Sequence, residues 1–315
     1  MHGNNEPKPP YDVVIIGGGA AGLAAAIYAR RKQLKTAVVS QEIGGATVLS
    51  NWVENYPGAK PMPGLQLMDQ FQANARELGT EFIAAKVSRI TPEKIFTLEL
   101  DNGTALQGRT VIVAGGKKSR RLNVPGEDTF FGRGVSTCAT CDAPLYKGKT
   151  VAIVGGGNAA VEAALELSAI AKAAYLIHRR TEFRADEITV EKLKASPVQL
   201  VLSAQVTEII GEKFVRAITV RDTTGKTREL SVDGVFLEIG SDTDPAIVAP
   251  FAQTNDREIV VDNRQRTNIP GAFAAGDVTN VPYKQTVISA GAGALAALEA
   301  HRYLTSPSYQ WESVA

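Results

Sequence analysis

Twice along the chain an apolar run stops at a glycine-rich turn and restarts as an alanine-rich stretch, and no other feature limits the fold as strongly. In YDVVIIGGGAAGLAAAIYARR (11–31) the turn reads Gly17-x-Gly19-x-x-Gly22, and in KTVAIVGGGNAAVEAALEL (149–167) it reads Gly155-x-Gly157-x-x-Ala160. Each is a strand, a tight turn and a helix. The first glycine permits the turn, the second lets phosphates approach the backbone, and the third small residue seats helix on strand. The helix N-terminus, opened by Ala20 in one unit and by Asn158 and Ala159 in the other, offers N–H groups and a favourable dipole to a pyrophosphate. A single such turn is weak evidence, because any strand-to-helix turn favours glycine. Here each is followed by a second β-like run, TAVVS (36–40) and AAYLI (173–177). The expected fold is α/β, with two Rossmann-like dinucleotide-binding domains.

The ends of those second runs distinguish the two sites. After AAYLI come His178, Arg179 and Arg180, with Arg184 four residues on. An acid there favours the 2′-hydroxyl of NAD, whereas arginines favour the 2′-phosphate of NADP. The plainer alternative is a solvated basic loop. After TAVVS the ribose-binding acid is missing; Ser40 stands in its place and Glu42 is a substitute two residues on. With NADPH assigned to the second site, FAD is the natural occupant of the first. The C-terminal stretch agrees: GAFAAGDV (271–278) ends a short strand at Asp277, and a small-residue helix follows Lys284, Gln285 and Thr286. An aspartate there suits ribityl hydroxyls, although Gly-Asp also serves as a plain turn.

The flavin domain is therefore expected to be split, residues 11–116 and 245–315, with the nicotinamide domain, 117–244, inserted through Gly- or Pro-containing connectors. Between the motifs, TLEL (97–100), TVIVA (110–114), QLVLSAQVTEII (199–210) and VRAITVRD (215–222) read as β segments. MHGNNEPKPP (1–10), polar and without an apolar core, reads as a disordered lead-in rather than a secretory signal. A net charge of +1 gives no reason to expect nucleic acid or an anionic membrane as partner, and VISAGAGALAAL (287–298) is too short to span a bilayer. The expected location is the cytoplasm.

The two cysteines of the chain, Cys138 and Cys141 in CATCDAP, lie just before the second unit. A structural zinc needs four ligands. The three histidines, His2, His178 and His301, are scattered, so no metal is expected. In a cytoplasmic protein a CxxC is more often redox or metal-binding than a structural staple, and inert thiols are the remaining alternative. The domain that carries the cysteines also carries the hydride donor's site, and flavin is the usual converter between hydride and dithiol chemistry.

On GGGAAGLAAAIYARR, VENYPG (53–58), VPGE (124–127), GRGVSTCATCD (132–142), GGGNAAVEAALELS, HRRTEFRA (178–185) and GDV…YKQ (276–285), the chain resembles the low-molecular-weight thioredoxin reductases over residues 11–304. The resemblance implies a homodimer that uses FAD, NADPH and a redox disulfide Cys138–Cys141 to reduce thioredoxin. It implies that Asp142 handles a proton near the thiolate, although a helix-capping role is an alternative. It carries His178, Arg179, Arg180 and Arg184 to the 2′-phosphate. It carries Gly17, Gly19, Gly22, Asn55, Asp277, Lys284, Gln285 and Thr286 to FAD.

Several positions depart from the family pattern. Its GGQ reads Gly44-Gly45-Ala46, its Thr-rich stretch carries Trp52, and the strand that usually ends ATG ends Ala114-Gly115-Gly116. The residues after CATCD are Ala143-Pro144-Leu145. The chain also continues as TSPSYQWESVA (305–315), where Tyr309 and Trp311 read either as incidental aromatics of a disordered tail or as a cap stacked on a flavin, its own or the neighbouring subunit's. These departures keep rivals open: a ferredoxin-linked reductase, a glutaredoxin-like protein or peroxidase module as partner, and a non-enzymatic redox sensor.

Overall fold

The computed structural model describes residues 10–50 and 52–311, so residues 1–9 of the expected lead-in and 312–315 of the C-terminal stretch lie outside the described residues. The chain divides into two compact units, one running up to Lys118 and resuming at Asp242, the other Ser119–Ser241.

The first unit opens with β1 (Tyr11–Gly18), α1 (Ala20–Arg31), β2 (Thr36–Ile43), α2 (Gly64–Glu77), β3 (Glu81–Ile83), β4 (Val87–Thr91), β5 (Phe96–Leu100) and β6 (Ala105–Val113). The sheet runs β3-β2-β1-β6-β5-β4; its first four strands are parallel, β5 pairs antiparallel with β6, and β4 pairs antiparallel with β5. Val13–Ile16 are buried throughout, as expected of a parallel strand covered on both faces.

A two-residue strand, β7 (Lys118–Ser119), leads into the second unit. There follow α3 (Glu127–Phe130), β8 (Val135–Ser136), α4 (Ala139–Asp142), β9 (Thr150–Gly155), α5 (Asn158–Ser168), β10 (Ala173–His178), α6 (Glu187–Lys194), β11 (Gln199–Leu202), β12 (Ala204–Gly211), β13 (Val215–Asp222), β14 (Thr227–Ser231) and β15 (Gly234–Glu238). One parallel sheet runs β11-β10-β9-β15-β8, and an antiparallel one β12-β13-β14. The segment QLVLSAQVTEII, read from sequence as one β stretch, is thus two strands in two sheets. Ser203 breaks it with φ +53°, a left-handed conformation unusual for serine. Its N–H donates to Arg180 O at 3.1 Å and its carbonyl accepts from Thr223 N–H at 3.2 Å, which hold that geometry.

The chain returns through β16 (Ser241–Asp242) to α7 (Pro245–Val248), β17 (Ala272–Ala274) and α8 (Thr286–Thr305). β17 adds to β6 in parallel. Ala21, Ala25 and Ala29 of α1 share a buried cluster with Ala296, Ala297 and Ala300 of α8. The helices are so close that a Cβ at Gly293 would strike the Ala21 carbonyl. The small residues are there to allow that approach.

Beyond α8 the aromatic tail folds back on its own unit. Trp311 meets Phe273 and Tyr303 with ring centroids 5.1 and 5.5 Å apart, and Tyr309 OH donates to Glu299 Oε2 at 3.0 Å. A helix of 20 residues is roughly 30 Å long, so these rings lie at the opposite end of α8 from Thr286. Tyr309 and Trp311 therefore do not cap the candidate flavin site of their own unit; the apolar wall of Phe273 and Tyr303 holds them instead. Trp311→Ala should lower stability by about 1–2 kcal/mol and leave the flavin spectrum unchanged, measured by thermal melts and visible absorbance.

Candidate active site

In the first unit β1, β6 and β17 end together. Ala114 N–H donates to Ile16 O at 2.8 Å and Ala275 N–H to Val113 O at 2.9 Å. The turn that follows β1 needs glycine for steric reasons: Gly17 has φ +108° with a Cβ position occupied by the Ala114 carbonyl, and a Cβ at Gly22 would strike the Gly17 carbonyl. Gly19 caps α1 with no side-chain hydrogen bond, which leaves the first-turn N–H groups, from Ala20 on, for a ligand.

A second glycine pair lies against this turn. Gly44 N–H donates to Gly18 O at 2.8 Å, and a Cβ at Gly45 would come within 2.9 Å of Gly19 Cα. Ala46 is exposed beside it, and Glu42 is exposed at the carboxyl end of β2, where Ser40 Oγ donates to its carbonyl at 2.5 Å. Thr47 Oγ1 and Thr286 Oγ1 are 2.9 Å apart, and Asn55 Nδ2 donates to Gln285 Oε1 at 3.2 Å. Asp277 accepts from Ser289 Oγ at 2.9 Å. Lys284 Nζ donates to Thr279 O at 2.6 Å and pairs at 2.9 Å with Glu258, which also meets Lys117 Nζ at 3.1 Å. Gly17, Gly19, Gly44 and Gly45 thus gather at the carboxyl end of a parallel sheet, and the start of α8 is tied to the segment after them through Thr47–Thr286 and Asn55–Gln285. Open glycine backbone, an uncapped helix and an aspartate fit a dinucleotide such as FAD. Trp52, in the stretch that departs from the family pattern, is 40% exposed.

In the second unit Gly157 caps α5 without a side-chain bond, and a Cβ there would meet nothing within 4 Å. That opening fits the phosphates of a second dinucleotide. The loop 178–186 closes over the turn: Arg184 N–H donates to Gly156 O at 2.7 Å, and Asn158 and Asp186 exchange hydrogen bonds of 3.2 and 2.8 Å. Asn158 and Ala159 are exposed on the first turn of the helix. Arg179, Arg180 and Arg184 are exposed, and a polar cavity of about 180 Å3 opens between Arg179, Ser203, Gln205, Arg221, Asp222 and Thr223.

His178 departs from the role expected of it. Its ring is buried against Gly156, stacks on Phe183 at 5.4 Å and bonds Glu182 O at 3.0 Å. Burial lowers its pKa, so it stands as a neutral packing group that shapes the arginine loop rather than as a cation for phosphate.

The disulfide Cys138–Cys141, with Cα atoms 5.3 Å apart, lies in the second unit and spans the short α4. Cys138 is the N-cap of that helix: Cys141 N–H donates to Cys138 Sγ at 3.2 Å, and Cys138 N–H donates to Ser136 Oγ at 3.1 Å. Burial raises the Asp142 carboxyl above its usual range, partly offset by a hydrogen bond from Ser136. From the other side Glu238 Oε1 accepts Ala139 N–H at 3.3 Å; burial, opposed by that bond and aided by Glu166, raises this carboxyl to about 7. Ser136 and Glu238 are missing from the sequence reading. The one signal for Glu238 is an acid closing the apolar strand VFLE. Among the described residues no group of three or more His, Cys, Asp and Glu is gathered to hold a metal, and no helix is long and apolar enough to cross a membrane.

The family model described as pyridine nucleotide-disulphide oxidoreductase matches residues 11–294. A Bacillus subtilis (strain 168) protein named NADH dehydrogenase is 38% identical over 301 residues, 94% of this chain and 59% of that protein. A Staphylococcus aureus (strain MRSA252) protein, named as one of the subunits of alkyl hydroperoxide reductase, is 40% identical over 305 residues, 95% of this chain and 60% of that protein. The chain thus spans about three fifths of the length of these curated relatives. The crystal structure of thioredoxin reductase from Streptococcus pyogenes MGAS5005 matches with a TM-score of 0.90 at 33% identity, over 94% of this chain and 98% of that one.

Proposed function

The chain belongs to the pyridine nucleotide-disulphide oxidoreductase family, and from that premise we propose that it is an NADPH-dependent reductase whose Cys138–Cys141 pair reduces the disulfide of thioredoxin or a thioredoxin-like protein. The observation that carries this reading is the placement of a CxxC disulfide and an arginine-flanked dinucleotide turn in one unit, with a second dinucleotide turn in the other. FAD, held by the Gly17–Gly22 turn, Gly44, Gly45, Asn55, Asp277 and the start of α8, supplies the exchange between hydride and dithiol chemistry.

The residues of the chain have separable tasks. The reduced pair attacks the partner's disulfide through one thiolate, forms a mixed disulfide, and releases it when the second thiol closes Cys138–Cys141 again. Asp142, whose carboxyl burial shifts toward holding a proton, is the group that passes a proton to the leaving thiolate. Arg179, Arg180 and Arg184 bind the 2′-phosphate, and neutral His178 fixes their loop. By the likeness to thioredoxin reductases, the working form is a homodimer.

A second reading, with NADH as donor and a peroxidase module as partner, is favoured by the names of the bacterial relatives. An anaerobic titration with each nucleotide, following flavin absorbance, separates the two. Bleaching by NADPH well below the concentration at which NADH acts supports the first reading, and equal or better bleaching by NADH overturns it. If NADPH is the donor, Arg179→Ala or Arg180→Ala should raise KM for NADPH roughly ten- to a hundredfold, the worth of one charge-assisted hydrogen bond, and leave that for NADH unchanged.

A further inference from the structure

Glu238 touches both halves of the chemistry in the second unit. It ends β15 opposite Gly155 of β9, where the strand order of the parallel sheet reverses, the place at which such sheets receive their ligands. Its carbonyl oxygen excludes any Cβ at Gly155, while its carboxyl reaches α4 and accepts the N–H of Ala139, the residue next to Cys138. The groups that face it are few. Glu166 approaches from α5, and Asp142 lies on the same short helix as Ala139. On the β10 side His178 is neutral behind Gly156, and β8 pairs with β15 through Ser136 and Phe236.

We propose that Glu238 is a positioning residue that couples a proton to the cysteine pair, its carboxyl taking up a proton when the disulfide is reduced and returning it when the disulfide re-forms. This rests on the reading that the pair is redox-active. Two electrons from the reductant break the S–S bond, one sulfur takes a proton from solvent, and the other remains a thiolate. That new negative charge would stand near a carboxylate in a partly buried site, which like-charge repulsion disfavours. With a second solvent proton on Glu238, the pair and its carboxyl carry the same charge after reduction as before it.

The oxidised protein holds this carboxyl at about 7, and a neighbouring thiolate moves it higher. Above about 7 reduction therefore consumes one more proton than below it, until the higher value is passed. The test equilibrates the FAD-loaded protein in dithiothreitol redox buffers between about pH 6 and about pH 9 and counts free thiols by alkylation and mass. In the wild type the equilibrium constant for reduction should fall an extra tenfold per pH unit above about 7, about 30 mV for this two-electron couple. Glu238→Gln keeps an acceptor for Ala139 N–H and should lose that break, while Glu238→Asp, pulled back from Ala139, should retain it at lower pH. A Gln variant with the wild-type profile overturns the proposal. So does a break that disappears in Asp142→Asn and persists in Glu238→Gln, which would put the proton on Asp142. If the wild-type pair fails to cycle at all, the redox reading falls and the proposal with it, an outcome distinct from a pair that cycles with unchanged pH dependence.

Discussion

Serine at either Cys138 or Cys141 is expected to bring disulfide reduction down to background while the bound flavin is still bleached by its nucleotide. Exchange needs two sulfurs: one forms the mixed disulfide, and the other resolves it. A hydroxyl does neither at neutral pH. The fold should survive, because the bond spans a sequence separation of only 3, and closing so small a loop is worth about 2 kcal/mol at most in chain entropy. Nucleotide oxidation with a thioredoxin-type substrate measures the loss, and flavin bleaching under anaerobic conditions measures what remains. If both fall together, the cysteines are structural and the proposed function fails; if neither falls, electrons leave by another route.

Gly22→Ala should remove the flavin. The added methyl would run into the Gly17 carbonyl, which is backbone and cannot swing away, so α1 must lift from β1. Overpacking of this kind costs about 1–3 kcal/mol, and more where backbone must move. The shift also withdraws the first-turn N–H groups from the phosphates. The variant should purify nearly colourless and melt lower. Gly157→Ala is the informative contrast, since its Cβ would meet nothing within 4 Å. It should melt like the wild type and be impaired only in nucleotide binding, where phosphates need close approach to the backbone. A yellow, stable Gly22→Ala protein would show that α1 has room the packing does not suggest. The contrast is between positions of the turn: Gly157 is the counterpart of Gly19, where a Cβ would meet only Gly45 Cα at 3.6 Å, and the counterpart of Gly22 is buried Ala160, which already carries the methyl.

The site residues split along the same physical line. The glycine turns, the arginines, the cysteines and the Asp277 to Thr286 stretch are readable because each is a local pattern with a local cause: a turn of positive φ, a close backbone approach, a charge at a strand end. Ser203 is not, because its left-handed backbone is held by Arg180 and Thr223, residues 23 and 20 positions away, and nothing in LVLSAQV marks a break. His178 misleads for a related reason. Beside two arginines it looks like a third phosphate ligand, but it is buried against Gly156, and burial together with Arg180 and Arg179 lowers its pKa. The aromatic tail is readable as something that packs, but its wall, Phe273 and Tyr303, cannot be named from spacing.

Local sequence is enough to establish two strand–turn–helix dinucleotide units, a cysteine pair in the second, and aspartate-led C-terminal residues returning to the first. Those features follow from backbone sterics and periodicity within some twenty residues. It took the folded chain to put Glu238 against α4, Gly45 on Gly19 and Thr47 beside Thr286, and to pack Trp311 on Phe273 rather than near Asp277. Each of these joins residues distant in sequence, and such contacts depend on which strand ends the sheet order brings together, a property of the assembled fold and not of any segment.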